Sequence, residues 1–143
     1  MTGRVLAIDW GEVRLGLAMS DQTQTIAQGF EVYERRSLDE DLRYLASLAS
    51  EYRVACVVVG VPVHMDGSSS EQTQRARTFK DDLAAKLSVP VDVMDERLTT
   101  AEAERSLLEA DLSRRKRKAK RDQLAATLIL QRYLERRRGP SSD

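Results

Sequence analysis

The chain opens on two short apolar runs joined by a glycine turn, and the first run ends on an acid. Val5 to Ile8 is continuously apolar, Asp9-Trp10-Gly11 follows, and Leu15 to Met19 resumes the apolar pattern. A short apolar run without alternation reads as a strand buried on both faces. Such a strand must lie inside a sheet, so covering layers have to come from later in the chain. Gly11 marks a turn, and the second run returns beside the first as an antiparallel partner. Asp9 then stands at the rim of the sheet. There a carboxylate can meet a metal ion or a phosphate without being buried alone, although Asp also begins many ordinary turns.

The later pattern supplies those layers. Ile26 to Tyr33 reads as a third strand at a sheet edge. Ser37 and Glu40 have capping-box spacing, and Leu38, Leu42, Leu45, Ala49 and Tyr52 follow at helical intervals. Ala55 to Val61 is the most hydrophobic run and reads as a central parallel strand, stopped by Pro62. Ser69 and Gln72 suggest a second capping box, ahead of a helix with Ala76, Phe79, Leu83 and Leu87 on its buried stripe. Val91 to Asp95 is a fifth strand. Thr99 and Glu102 suggest a helix to about Leu108, and a basic run leads into a last helix from Asp122 to about Arg137. The order β-β-β-α-β-α-β-α-α predicts an α/β domain with a five-stranded mixed sheet and helices on both faces. One domain is expected over residues 1–138, with 139–143 a flexible tail. Strands one, four and five would share a carboxyl-terminal edge, where open α/β sheets bind ligands.

A formal net charge of +0 hides a division along the chain. Residues 113–138 carry eleven Lys and Arg against Asp122 and Glu135, and the remainder carries the matching excess of acid. Clustered basic charge is the footprint expected of a phosphate-backbone contact, although many charge runs are only solvated faces. The single cysteine, Cys56, lies within an apolar run and reads as a buried small hydrophobe, so no disulfide framework exists. No apolar run approaches the length of a membrane span, and the N-terminus lacks a signal-peptide layout, so the cytoplasm is the expected compartment. His64 is the only histidine, which excludes Ser-His and Cys-His catalysis and any multi-histidine zinc site. It is expected to be an exposed loop residue.

Three acids are placed to meet. Asp9 ends the first strand, and Glu96 follows the fifth at the same edge. Asp122 shares a helix face with Ala126, Ile129, Leu130 and Tyr133, the stripe that should pack on the sheet. An inward carboxylate is costly without a partner. Converging carboxylates repel one another and need cations, and Mg²⁺ prefers oxygen ligands. Two such ions can activate water and stabilise the leaving oxygen of a phosphodiester. For each acid alone, a turn, a helix first turn or a salt bridge would suffice as an explanation.

The residues that carry these positions also carry a resemblance. Ile8-Asp9-Trp10-Gly11 with Arg14-Leu15-Gly16-Leu17-Ala18, Val59-Gly60-Val61-Pro62, Met65-Asp66-Gly67-Ser68, Asp95-Glu96-Arg97-Leu98-Thr99-Thr100, and Arg115-Lys116 to Lys120 followed by Asp122 with Ala125-Ala126 resemble, in order, the YqgF (RuvX-like) family. The resemblance implies a ribonuclease H-like fold and a metal-dependent nuclease, described either as maturing the 5′ end of pre-16S ribosomal RNA or as a Holliday junction resolvase. It places the catalytic and metal-binding acids on Asp9, Glu96 and Asp122, with two Mg²⁺ or Mn²⁺ ions as cofactors. Trp10 departs from the smaller or different apolar residue expected beside the first acid and could alter base stacking there. The strand ending at Gly60-Val61-Pro62 carries no acid, so the second acid must come from Glu96.

Arg14, Ser68, Arg97 and the run Arg114, Arg115, Lys116, Arg117, Lys118, Lys120 and Arg121 are the candidate nucleic-acid contacts. The residues after Gly67 open a helix whose N–H groups could hold a phosphate, or simply receive a cap. Expected partners are structured RNA such as a ribosomal RNA precursor, branched DNA, and pre-ribosomal particles. No membrane is expected, and the assembly is a monomer or weak homodimer. Two other readings compete: a fragment of a sugar kinase or actin-like ATPase, disfavoured by the short chain, and a non-catalytic RNA-binding adaptor, disfavoured by the presence of all three acids.

Overall fold

The computed structural model describes residues 3–63, 69–95 and 114–138. The elements are β1 (Arg4–Asp9), β2 (Arg14–Ser20), β3 (Ala27–Glu34), α1 (Leu38–Glu51), β4 (Val54–Val61), α2 (Glu71–Lys86), β5 (Val91–Asp95) and α3 (Arg114–Arg138). They build a five-stranded sheet in the order β3-β2-β1-β4-β5. β1 pairs antiparallel with β2 and parallel with β4, and β5 joins β4 in parallel. The first strand is therefore central, as its unbroken apolar run requires.

Alternation along the strands sorts the core into two layers. Leu6, Ile8, Leu15, Leu17, Val57 and Val59 pack with Leu45 and Leu48 of α1 and Ala76, Phe79 and Leu83 of α2. Val5, Ala7, Ala18, Cys56, Val58 and Met94 pack with Ala126, Ile129, Leu130, Tyr133 and Leu134 of α3. Cys56 is buried, as its apolar run suggests, and its Sγ accepts a hydrogen bond from Arg137 at 3.2 Å.

Ser37 caps α1 by accepting from the Glu40 N–H at 3.1 Å, and its hydroxyl donates to the Glu40 carboxylate. Two expectations need correction. The box of α2 is Ser70 with Thr73, one position beyond Ser69 and Gln72. Thr73 Oγ1 also donates to the Pro62 carbonyl, which ties the helix start to the end of β4. And α3 begins at Arg114 rather than Asp122, so the basic run forms its first turns. Seven of eight positions there are Lys or Arg, a stretch with no apolar period from which to read a helix. The helix expected up to Leu108, His64 and the tail lie outside the described residues.

Candidate functional site

Asp9 is the last residue of β1 and is half-buried. It shares strand parity with Val5 and Ala7, which face α3, while Leu6, Ile8 and Trp10 belong to the layer of α1 and α2. Its direct neighbours across the sheet are Gly16 on β2 and Gly60 on β4. Both directly paired positions thus lack a Cβ. Gly60 pairs in turn with Met94 of β5, another residue of the α3 layer, and Asp95 pairs with Val61 at the strand end. Asp95 is exposed, and Glu96 is the next residue in the chain.

The turn after Asp9 is tight. A Cβ on Gly11 would lie 2.6 Å from the Arg14 carbonyl oxygen, so only glycine fits. Arg14 is half-buried at the start of β2, with the strand parity of Gly16 and Ala18. It therefore shares a sheet face and an edge with Asp9. In α3, Asp122 stands one turn ahead of Ala126, which is fully buried against the sheet. A Cβ on Gly29 of β3 would meet Gln123 Cγ at 2.7 Å, so the helix approaches the sheet closely at the residue next to Asp122.

Of the three acids, Asp9 has a described side chain. Glu96, Arg97 and Ser68 lie outside the described residues. So do the side chains of Asp122 and of Arg114, Arg115, Lys116, Arg117, Lys118, Lys120 and Arg121. Among the described residues, no three His, Cys, Asp or Glu side chains group as metal ligands. A hard oxygen donor between two glycines at the ligand-binding edge suits a divalent cation.

Trp10 does not stand beside Asp9 on that face. Its ring is 7% exposed and packs in the α1 and α2 layer. An open cleft of about 710 Å³ lies on this opposite side, lined in part by Trp10, Val13, Arg35, Leu38, Arg75 and Phe79. Arg35 is paired there with Asp41, and Arg75 with Glu12 and Glu71. Glu12, Asp41, Glu71 and Asp82 outnumber Arg35, Arg36 and Arg75 along its lining, a balance that does not favour a phosphate. The buried Arg35–Asp41 pair does not stand out in the sequence. Asp41 lies three after Leu38 and four before Leu45 on the apolar stripe, and an acid at that phase was the available signal.

Comparison with known proteins places this geometry. The family model described as RuvX, Holliday junction resolvase, matches residues 3–136. The chain belongs to the RuvX family. A Halothermothrix orenii protein named "Putative pre-16S rRNA nuclease" is 47% identical over 92% of this chain and 94% of its own. A Myxococcus xanthus protein of the same name is 45% identical over 98% and 93%. Among solved structures, Thermus thermophilus RuvC in complex with a Holliday junction substrate superposes with a TM-score of 0.61 over 96% of this chain and 97% of that one, at 18% identity. The fowlpox virus Holliday junction resolvase gives 0.57 over 93% and 98%, at 14% identity. The fold is that of the RuvC-like, ribonuclease H-fold resolvases, and this RuvX chain is a hydrolytic nuclease.

Proposed function

We propose that this RuvX chain cleaves phosphodiester bonds of structured RNA, with the precursor of 16S ribosomal RNA as its substrate, using Mg²⁺ or Mn²⁺ held by Asp9, Glu96 and Asp122. The observation that carries the reading is Asp9 at the carboxyl-terminal edge, facing the α3 layer between two glycines. Asp122 lies in the helix that covers that face, and Glu96 lies two residues beyond Met94, which belongs to the same layer. The names of the relatives support the choice of RNA. Bound divalent ions would supply charge neutralisation and polarise water. The chain's own part is to hold the carboxylates at one edge and to bring Arg14, Ser68, Arg97 and the basic turns of α3 to the phosphates. No described helix is long and apolar enough to cross a membrane, and the cytoplasm, where ribosomal precursors are made, is the compartment that fits.

A second reading, resolution of four-way DNA junctions, is favoured by the family description. It would require two symmetric cuts and hence a dimer, whereas a monomer or weak homodimer suffices for RNA. A cleavage assay with Mg²⁺ or Mn²⁺ that pairs a ribosomal RNA precursor with a synthetic four-way junction separates the two. The RNA is expected to be cut and the junction left intact. Asp9→Asn is expected to lose about a hundredfold or more in rate, because the charge stabilisation removed is worth several kcal/mol. Equal cleavage by Asp9→Asn and wild type would refute the assignment.

A further inference from the structure

The turn that follows Asp9 is gripped from outside its own hairpin. Arg35, the first residue after β3, donates from Nη1 to the Gly11 carbonyl at 3.0 Å, and its backbone N–H donates to the Val13 carbonyl at 2.9 Å. The same guanidinium donates from Nε to Asp41 Oδ2 at 3.0 Å. Asp41, in the first turn of α1, is 1% exposed. Its Oδ1 accepts from the Tyr33 hydroxyl at 2.9 Å and from the Arg36 N–H at 3.0 Å. The guanidinium carbon lies 5.7 Å from the Trp10 ring centroid and 5.2 Å from that of Phe79. One side chain therefore joins the β1–β2 turn, α1 and α2.

As a source of stability this arrangement is a poor choice. Desolvating an ion pair returns little net energy, and an apolar pair of similar volume often does as well or better. What the guanidinium supplies is direction, through two N–H groups fixed in one plane and pointing at two different elements. One points at the acid that anchors it and the other at the carbonyl two residues past Asp9.

We propose that Arg35 is a positioning residue: anchored by Asp41, it fixes the Trp10–Val13 turn and so sets the direction in which Asp9 presents its carboxylate to a divalent ion. This rests on the reading of Asp9 as a metal ligand. Arg35→Met/Asp41→Asn tests it. The double variant strands no charge, and the Asn carbonyl can still accept from Tyr33 and Arg36, but the Gly11 carbonyl loses its donor. The expected result is a melting temperature close to wild type with Mn²⁺ affinity, measured by titration calorimetry, weakened roughly tenfold to a hundredfold. The kcat for cleavage should fall roughly tenfold to a hundredfold as well, with KM for the nucleic acid unchanged. Wild-type Mn²⁺ affinity and kcat would overturn the proposal, and so would a change confined to KM. Should the double variant fail to fold, Arg35→Lys decides by the same readouts, since a single ammonium cannot donate along both directions of the fork. Asp9→Asn is measured in parallel. If it binds Mn²⁺ and cleaves like wild type, the metal reading falls and the positioning role with it. If it is inactive while the Arg35 variants match wild type, the positioning role alone falls.

Discussion

At the scale of single residues, parity along a strand decides what each side chain can do. Asp9 and Trp10 are adjacent in sequence and belong to opposite faces of the sheet. The indole therefore belongs to the core and not to a stacking platform for bases. Its Nε1 is buried and has no hydrogen-bond partner among the described residues. Such an orphaned donor costs about 1–3 kcal/mol. Trp10→Phe removes that cost while giving up part of the ring's packing, so urea denaturation should show a small net change and cleavage should persist. Trp10→Ala removes the packing as well and should cost about 3–5 kcal/mol. A large loss of nucleic-acid affinity in Trp10→Phe, at unchanged stability, would return the ring to the substrate. Asp9 was legible in sequence because an acid that ends a doubly buried strand has only the rim to occupy. Asp41 was not, because Asp39, Glu40 and Asp41 all read as first-turn acids. Its phase with Leu38 and Leu45 sets it apart from the other two, but only the fold shows the Arg35 guanidinium against it.

At the scale of elements, α3 joins two different helices in one. From Ala125 to Leu134 it presents an apolar stripe that covers β1, β2 and β3. From Arg114 to Arg121 its sequence has no such stripe, and no acid stands in its first turn. Cations at a helix N-terminus oppose the helix dipole, and like charges spaced three or four apart repel. With no apolar period to pack and a run of like charge, this half is expected to be stabilised by a polyanion. Hydrogen exchange at amides 116–121 is expected to slow on addition of RNA, while the core amides of β1 and β4 stay unchanged. Replacing Arg114, Arg117, Lys118 and Arg121 with Gln should weaken RNA binding and reduce the slope of log affinity against log salt by about 0.7 for each phosphate no longer neutralised. An unchanged slope would remove the basic turns from the nucleic-acid interface. Hydrophobic periodicity cannot locate the start of a helix in a segment that has none. This is why the sequence placed the boundary at Asp122, just ahead of the apolar stripe.

At the scale of the whole molecule, element order and strand polarity were readable because burial demands them: a doubly apolar central strand requires two covering layers, and both are present. Contacts that cross between layers depend on distances that no local pattern encodes, and the tyrosines are the clearest case. Tyr33 stacks on Tyr44 with centroids 4.5 Å apart, beneath the α1 layer, and Tyr133 packs in the α3 layer. Burial, reinforced by the hydrogen bond to Asp41, pushes the Tyr33 phenol up to about 12. Burial, with Cys56 and Asp92 nearby, raises Tyr133 to about 12. Tyr44 is raised by burial and by its hydrogen bond to Glu31. In each case the folded pKa lies above the unfolded value near 10, so the fold favours the neutral phenol. That contribution is complete below about pH 10 and is lost as the pH climbs from there through the folded values. Because the phenols sit in both layers, their ionisation should disrupt the two together. A spectroscopic titration should therefore show phenolate absorbance from these residues rising well above pH 10, together with loss of the helical circular dichroism signal. Tyr33→Phe should remove its share of the pH dependence while costing about 1.5–3 kcal/mol near neutrality, the net worth of one hydrogen bond to a charged group. Phenols that all titrated near 10 with the helical signal intact would show that neither layer depends on them.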